Sequence, residues 1–429
     1  MKLTGEARNS TIRRHGPHLG RRRLDGFREV GIIAALAALA LTIAGGSTHR
    51  SRFPRTTNGV HLEMVFDYEI PPSFKFPGID AIWAASTPVS GRYATFYVPY
   101  DRDGDAHRTV AWWRRNHPDW IEYRCDGAVA AEFGDRNVPL DIANPSVRRW
   151  QWAHEIAPAL ARGFQGIAFD NLSLDNRSRR CGHYDPRHRW IAQFSGAKGL
   201  AEYQHTVLMW TKFMRSRLHD AGRTIAINYS YESAVPWQTN LALLSLPDLV
   251  FDEAGVTNGG SPVGTKPTER QWLDIFRSTR RIEADGVCYH LNGEEPQDTT
   301  RISLPEREWI VANYLLMKSD CTYLYITGYR AAGTATVAPS GTRRTQDYGR
   351  YCLFPEYSLA IGHPAAAPKL SNSLWVRQYS HGIVLVNPTD HALAFHAQQR
   401  LYALAAASPA DFFTVGPHAG LILLPTRGR

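Results

Sequence analysis

Residues 163–171 read Gly163-Phe164-Gln165-Gly166-Ile167-Ala168-Phe169-Asp170-Asn171. A short apolar run opened by glycine and closed abruptly by polar residues is the pattern of a strand buried on both faces. Its last two residues bring a carboxylate and an amide to the strand's C-terminal edge. Upstream, Asn144 followed by Pro145 predicts a helix start, as N-cap and first helical residue. Val147, Trp150, Ala153, Ala157 and Leu160 then recur on one face, and Gly163 ends the helix.

The same alternation of strand and helix extends in both directions. The strand-like runs are His61–Tyr68, Tyr93–Val98, Trp120–Arg124, Gly166–Asn171, Thr224–Tyr229, Leu249–Glu253, Gly286–Leu291 and Thr322–Ile326. Helical periodicity fills Leu200–Ala221, Thr268–Ala284 and Pro305–Ser319. Eight alternations predict an α/β fold, a (β/α)8 TIM barrel. A doubly wound sheet would need a glycine-rich turn after its first strand, and Phe66-Asp67-Tyr68-Glu69-Ile70-Pro71-Pro72 has none. After about residue 365 the pattern changes to short strands, at Ser373–Tyr379, Gly382–Val386, Ala392–His396, Phe412–Val415 and Leu421–Leu424. They predict a small C-terminal all-β domain. The expected division is a leader at 1–55, the barrel at 56–362 and a small β-sandwich-like domain at 363–429.

The formal charge of +9 resides almost wholly in the leader, where eleven Lys/Arg face three Asp/Glu. The remainder carries 38 Lys/Arg against 37 Asp/Glu, so the folded body offers no footprint for a nucleic-acid backbone. No charged residue lies between Glu29 and Arg50, and the apolar stretch follows a basic one. This is the order of an export signal, with a membrane anchor through residues 30–46 as the alternative. Either predicts an extracytoplasmic body. Cys125, Cys181, Cys288, Cys321 and Cys352 show no zinc spacing; one or two disulfides or buried thiols both fit.

In barrel enzymes chemistry gathers at the strands' C-terminal ends. Those ends supply Asp67 and Glu69, then Tyr97 and Tyr100, then Tyr123, Arg124 and Asp126, then Asp170 and Asn171. The later strands supply Asn228 and Tyr229, Asp252 and Glu253, His290 and Asn292, and Thr327 and Tyr329. Carboxylates, amides and phenols suit a sugar: acids for proton transfer, polar groups for hydroxyls, aromatic faces for rings. Asp170 and Glu253 are the expected catalytic pair. Asp67, Tyr97, Tyr123, Asn171, Asn228, Tyr229, Asp252, His290 and Asn292 are expected to bind substrate. Three have a plainer reading: Asp170 as a loop brace, Asp252 as half of a salt bridge or a loop brace, His290 as an ordinary hydrogen-bonding histidine. Phe251 and Glu253 share a strand parity, which favours Glu253 over Asp252 as the inward group. No H-E-x-x-H, strand-end H-x-H or G-x-S-x-G occurs, so neither a metal ligand set nor a nucleophile elbow is expected, and no cofactor. Trp112-Trp113 reads as core.

The segment Asp141-Ile142-Ala143-Asn144-Pro145-Ser146-Val147-Arg148, followed by residues 163–171, resembles barrel glycoside hydrolases. It is similar to the hypothetical glycosyl hydrolase groups related to glycoside hydrolase family 114. Trp375-Val376-Arg377-Gln378-Tyr379 and Gly382-Ile383-Val384-Leu385-Val386-Asn387-Pro388 look like their β appendage. The likeness spans roughly residues 60 to 390 and implies a carbohydrate substrate. By analogy with barrel glycosidases that use the fourth and sixth strands, Asp170 would be nucleophile or base and Glu253 the acid. Two functions follow: an exported hydrolase of a poly- or oligosaccharide, or a catalytically inactive glycan-binding barrel of a polysaccharide secretion or matrix system. Only the first needs two carboxylates facing one another.

Overall fold

The computed structural model describes residues 53–67, 78–132, 137–253, 255–257, 264–328 and 352–427. Glu69, Tyr329 and the apolar run 30–46 lie outside them. Among the described residues no helix is long and apolar enough to cross a membrane.

Eight parallel strands close a barrel. They are β1 (Leu62–Val65), β2 (Ile79–Trp83), β3 (Tyr93–Pro99), β4 (Gly166–Asp170), β5 (Thr224–Asn228), β6 (Leu249–Asp252), β7 (Cys288–Glu295) and β8 (Thr322–Gly328). Each pairs with its sequence neighbours, and β8 returns to β1. The barrel is therefore a (β/α)8 TIM barrel, with one strand differing from expectation. Trp120–Arg124 is no barrel strand; only Tyr123–Arg124 is extended, in a three-stranded antiparallel sheet with Arg180–Tyr184 and Trp190–Ala192. The second barrel strand is Ile79–Trp83, which makes Tyr93–Pro99 the third. Asp80 interrupts the apolar run of β2, and its carboxylate lies 3.1 Å from His61 Nε2.

Ring contacts fix which residues face inward. Phe251 of β6 meets Trp83 of β2 and His290 of β7, with centroids 4.7 and 4.9 Å apart. Strands two and six are not neighbours, so these rings can meet only inside the barrel. Phe169 points the other way, onto Trp210 of the helix Gly199–Asp220. Gly166 faces inward opposite β5, where a Cβ would come within 2.2 Å of Thr224 Oγ1. The Phe53 ring lies 4.4 Å from that of Tyr93 and 6.3 Å from that of Tyr323, the first residue of β3 and the second of β8, and so beneath the barrel's N-terminal end. Arg55 bonds Asp320 there at 2.7 Å.

Between β3 and β4 the chain makes an excursion instead of a single crossover helix. It contains α1 (Val110–Asn116) and α2 (Pro145–Gln151), the latter continuing through a π stretch at Trp152–Ile156 into α3 (Ala157–Ala161). Asn144 caps α2 by accepting from Ser146 N at 2.9 Å. Trp113 is fully buried in the excursion's own small core, and its indole donates to Asp103. The disulfide Cys125–Cys181 ties the excursion to the hairpin after β4, and Cys288–Cys321 joins the starts of β7 and β8.

The remaining helices are α4 (Gly199–Asp220), α5 (Trp237–Leu244), α6 (Glu269–Ala284) and α7 (Leu304–Met317). Thr268 and Gln271 form a capping box on α6. The C-terminal residues form one six-stranded antiparallel sheet. Its Arg377 donates to the carbonyls of Leu315, Leu316 and Lys318, satisfying the end of α7 that lacks helical partners. Glu308 of α7 in turn accepts from Ile422 N.

Candidate active site

Asp170 ends β4 on the parity opposite to outward-facing Phe169, so its carboxylate enters the barrel mouth. Three donors converge on it. Tyr97 of β3 donates to Oδ2 at 2.7 Å, Asn228 of β5 to Oδ1 at 2.7 Å, and Asn171 also reaches Oδ2. Asn171 sits at φ 62°, a left-handed turn that Asn tolerates better than most side chains. That turn swings its amide back onto its neighbour.

Glu253 follows β6 on the inward parity of Phe251. Asn228 Nδ2 donates to its Oε2 at 2.7 Å as well, so one buried amide spans both carboxylates. Two 2.7 Å contacts to one nitrogen keep Asp170 Oδ1 and Glu253 Oε2 no farther apart than twice that distance. Asn292 of β7 lies beneath, donating at 3.4 Å to the Glu253 carbonyl and to Thr327 Oγ1. Tyr97, Asp170, Asn171, Asn228, Glu253 and Asn292 therefore form one linked group.

Solved structures similar to this chain include a noncanonic maltogenic alpha-amylase, AmyB, from Thermotoga neapolitana. It is 11% identical over 85% of this chain and 98% of that one, with a TM-score of 0.45. The glycoside hydrolase domain of PelA from Pseudomonas aeruginosa is 13% identical over 63% of this chain and 94% of that one, with a TM-score of 0.41. Trehalulose synthase MutB from Pseudomonas mesoacidophila MX-45 is 11% identical over 85% and 98%, with a TM-score of 0.49. No protein-family model and no curated protein matches the sequence. The barrel rests on its own strand pairing, not on these similarities.

Other expected site residues lie elsewhere. Asp252 is outward and buried, accepting from Ser230 Oγ, Gly255 N and Tyr289 OH. Burial raises its pKa against the pull of those bonds. It braces the layer between barrel and helices. Tyr229 also points outward, to Asn240 of α5 at 2.5 Å, with its phenol pushed up by burial and by the nearby Glu232 carboxylate. Tyr123 belongs to the excursion, where its ring packs on Tyr184 and its hydroxyl accepts from Arg114. Arg124 and Asp126 share that location. Asp67 does end β1, but its Oδ1 accepts from Ser86 N and so pins the loop after β2. His290 is fully buried one layer below the tips, 2.7 Å from Glu63 Oε2.

Two site residues had no sequence signal. Glu232 accepts from Ser173 Oγ, Leu174 N, Asp175 N and Arg177 Nη2, which locks the loop after β4 to the loop after β5. Burial opposes the charge of Arg102, but Asp101, Tyr97 and Asp170 around it raise its pKa. Glu232 acts from a loop and Arg102 from a two-residue strand paired with Val138–Pro139, neither long enough for periodicity to mark a side chain's direction. A cleft of about 770 Å³ lies beside α5 and α6, lined by Tyr231, Trp237, Arg270 and Asp274 among others, and neither Asp170 nor Glu253 lines it.

Proposed function

We propose that this chain is an exported glycoside hydrolase of the kind related to family 114, cleaving O-glycosidic bonds in a polysaccharide or oligosaccharide. The observation that carries the reading is the Asn228 amide shared by Asp170 and Glu253. Facing oxygens no more than twice 2.7 Å apart accord with the roughly 5–5.5 Å carboxyl pair of retaining glycosidases, and we take the reaction as retaining. Asp170, oriented by three donors, attacks the anomeric carbon. As that bond forms, the bond to the leaving oxygen breaks and Glu253 gives this oxygen its proton. Water then cleaves the glycosyl ester, returning a proton to Glu253. Asn228 holds both groups in register, and Tyr97 orients the nucleophile. The basic-then-apolar order of residues 1–55 supports export, as do two disulfides, which persist in oxidising compartments.

The test is a screen of neutral and charged polysaccharides for new reducing ends, with proton NMR of the first-formed anomer on any substrate found. Retention, and mass labelling of Asp170 by a 2-deoxy-2-fluoro glycoside of that sugar, are the expected results. Inversion would overturn the assignment of Asp170 as nucleophile. Glycan binding at the mouth without cleavage would favour the inactive barrel.

A further inference from the structure

The excursion contains a cluster that the catalytic reading does not use. Glu122, Asp141 and His183 come from three separate segments, yet a ligand-capable atom of each lies within 4.8 Å of the others. Glu122 and Asp141 are buried, and His183 is partly so. Glu122 has 0% exposure, and among the described residues neither of its carboxylate oxygens has a hydrogen-bond partner. A buried carboxylate without donors is costly unless a proton or a cation compensates it. Arg180, the cation close by, directs both its Nη groups elsewhere. Its guanidinium donates to Asp101 Oδ2 at 2.5 Å, to the Asp101 carbonyl and to the Leu140 carbonyl.

Main-chain bonds hold the cluster's scaffold in place. Glu122 N donates to the Pro139 carbonyl at 3.0 Å and Asp141 N to the Trp120 carbonyl at 2.8 Å. His183 lies on the strand Arg180–Tyr184, paired with Ile191. Its Nδ1 is 3.6 Å from Asp141 Oδ2 and 3.3 Å from Gln193 Oε1. The ligands are thus carried on rigid backbone, and short side-chain adjustments would bring them around one ion.

We propose that Glu122, Asp141 and His183 form a divalent-cation site of the zinc class that fastens the excursion to the hairpin after β4. One imidazole and two carboxylates suit Zn2+, which takes nitrogen and oxygen donors at about 2.0–2.2 Å. Calcium wants six to eight oxygens, and magnesium prefers oxygen and keeps several waters. Gln193 adjoins two of the three, its Oε1 3.3 Å from His183 Nδ1 and its Nε2 donating to Asp141 Oδ2 at 3.4 Å. The cysteine spacing could not reveal this site, because its ligands are a carboxylate-and-histidine set gathered from segments about 20 and 40 residues apart.

The full chain, stripped with EDTA, is titrated with ZnCl2 by calorimetry, and metal content is measured after gel filtration. One zinc per chain and a higher melting temperature are expected. His183→Gln, at a partly exposed position that should leave folding intact, and Glu122→Gln should each weaken binding tenfold or more. Co2+ loading should give the visible absorption of tetrahedral nitrogen and oxygen ligation in the parent and lose it in His183→Gln. Zinc bound no better by the parent than by His183→Gln would overturn the site, as would binding of Ca2+ or Mg2+ in preference to Zn2+. A metal-free Glu122→Gln chain more stable than the zinc-loaded parent would also overturn it, identifying a proton shared between Glu122 and Asp141.

Discussion

The tips of β4 to β6 and the excursion between β3 and β4 use buried polar groups in opposite ways. At the tips, apolar strands carry a few polar side chains to one edge, where Asn228 joins two carboxylates. In the excursion, polar groups substitute for a large core. Asp103 accepts from Arg108, the Trp113 indole and Asp105 N, while Arg180 ties residues 79 positions apart in sequence. The barrel can project charge because its apolar layers already hold it. The excursion, whose own apolar core is small, spends its charges on internal bonds.

That contrast can be broken first at the tips. Asp170→Asn and Glu253→Gln should each lower turnover by 10³-fold or more, roughly 4 kcal/mol of barrier, with the melting temperature nearly unchanged. Steady-state kinetics and calorimetry on the same samples check both halves. A large stability loss would mean the pair is structural. In the excursion the effects should reverse. Arg180→Met leaves buried Asp101 with only the longer Arg102 contact at 3.3 Å and should cost roughly 3 kcal/mol in denaturant unfolding. Cys125→Ser with Cys181→Ser should cost about 2 kcal/mol, read the same way.

Asp252→Asn sharpens the comparison within a single dipeptide. It should remove about 1 kcal/mol of stability and leave kcat within a few-fold, because its partners are Ser230, Gly255 and Tyr289. The smallest effect is in pH. Burial pushes Glu295 and Glu308 up to about 8 and about 7, with Glu306 and Glu356 respectively adding to the shift. Raised carboxyls bind more protons folded than unfolded, so their stabilisation is complete below the ordinary carboxylate range and is lost as pH rises through 7 to 8. His61, lowered to about 3 by burial and by Lys318, acts oppositely, losing stability as pH falls below about 6.5. Two raised carboxyls outweigh one lowered imidazole, so melting temperature should fall as pH rises from about 4.5 towards 8. Glu295→Gln and Glu308→Gln should flatten that fall, whereas Arg180→Met should not.

The barrel was legible where burial on both faces leaves a continuous apolar run, as at Gly166–Asp170 and Leu249–Asp252. It was not legible at β2, where Asp80 interrupts the run and finds its partner in His61 of another segment. Trp120–Arg124 misled because Glu122 and Arg124 among aromatics imitate an alternating strand, and the stretch does extend briefly, in another sheet. The helix start at Asn144 was readable because capping is local, and Thr268–Ala284 because its period is sustained. The expected site residues divided by strand parity: Asp170 and Asn228 face in, Tyr229 and Asp252 face out. Glu232, in a loop, and Arg102, in a two-residue strand, could not be read, since contacts distant in sequence decide where they point.

The Phe53 ring beneath the barrel sets an order of assembly. The Arg55–Asp320 bond that accompanies it closes a loop of 265 residues. At roughly 5–20 residues per second of synthesis, Asp320 leaves the ribosome on the order of tens of seconds after Arg55. Throughout that interval the aromatic residue that ends up beneath the barrel has no Tyr323 to receive it. Phe53 and Arg55 are thus among the described residues that complete their contacts late, and in a ribosome-bound chain halted before β8 Phe53 should have Tyr93 but not Tyr323 to cover it.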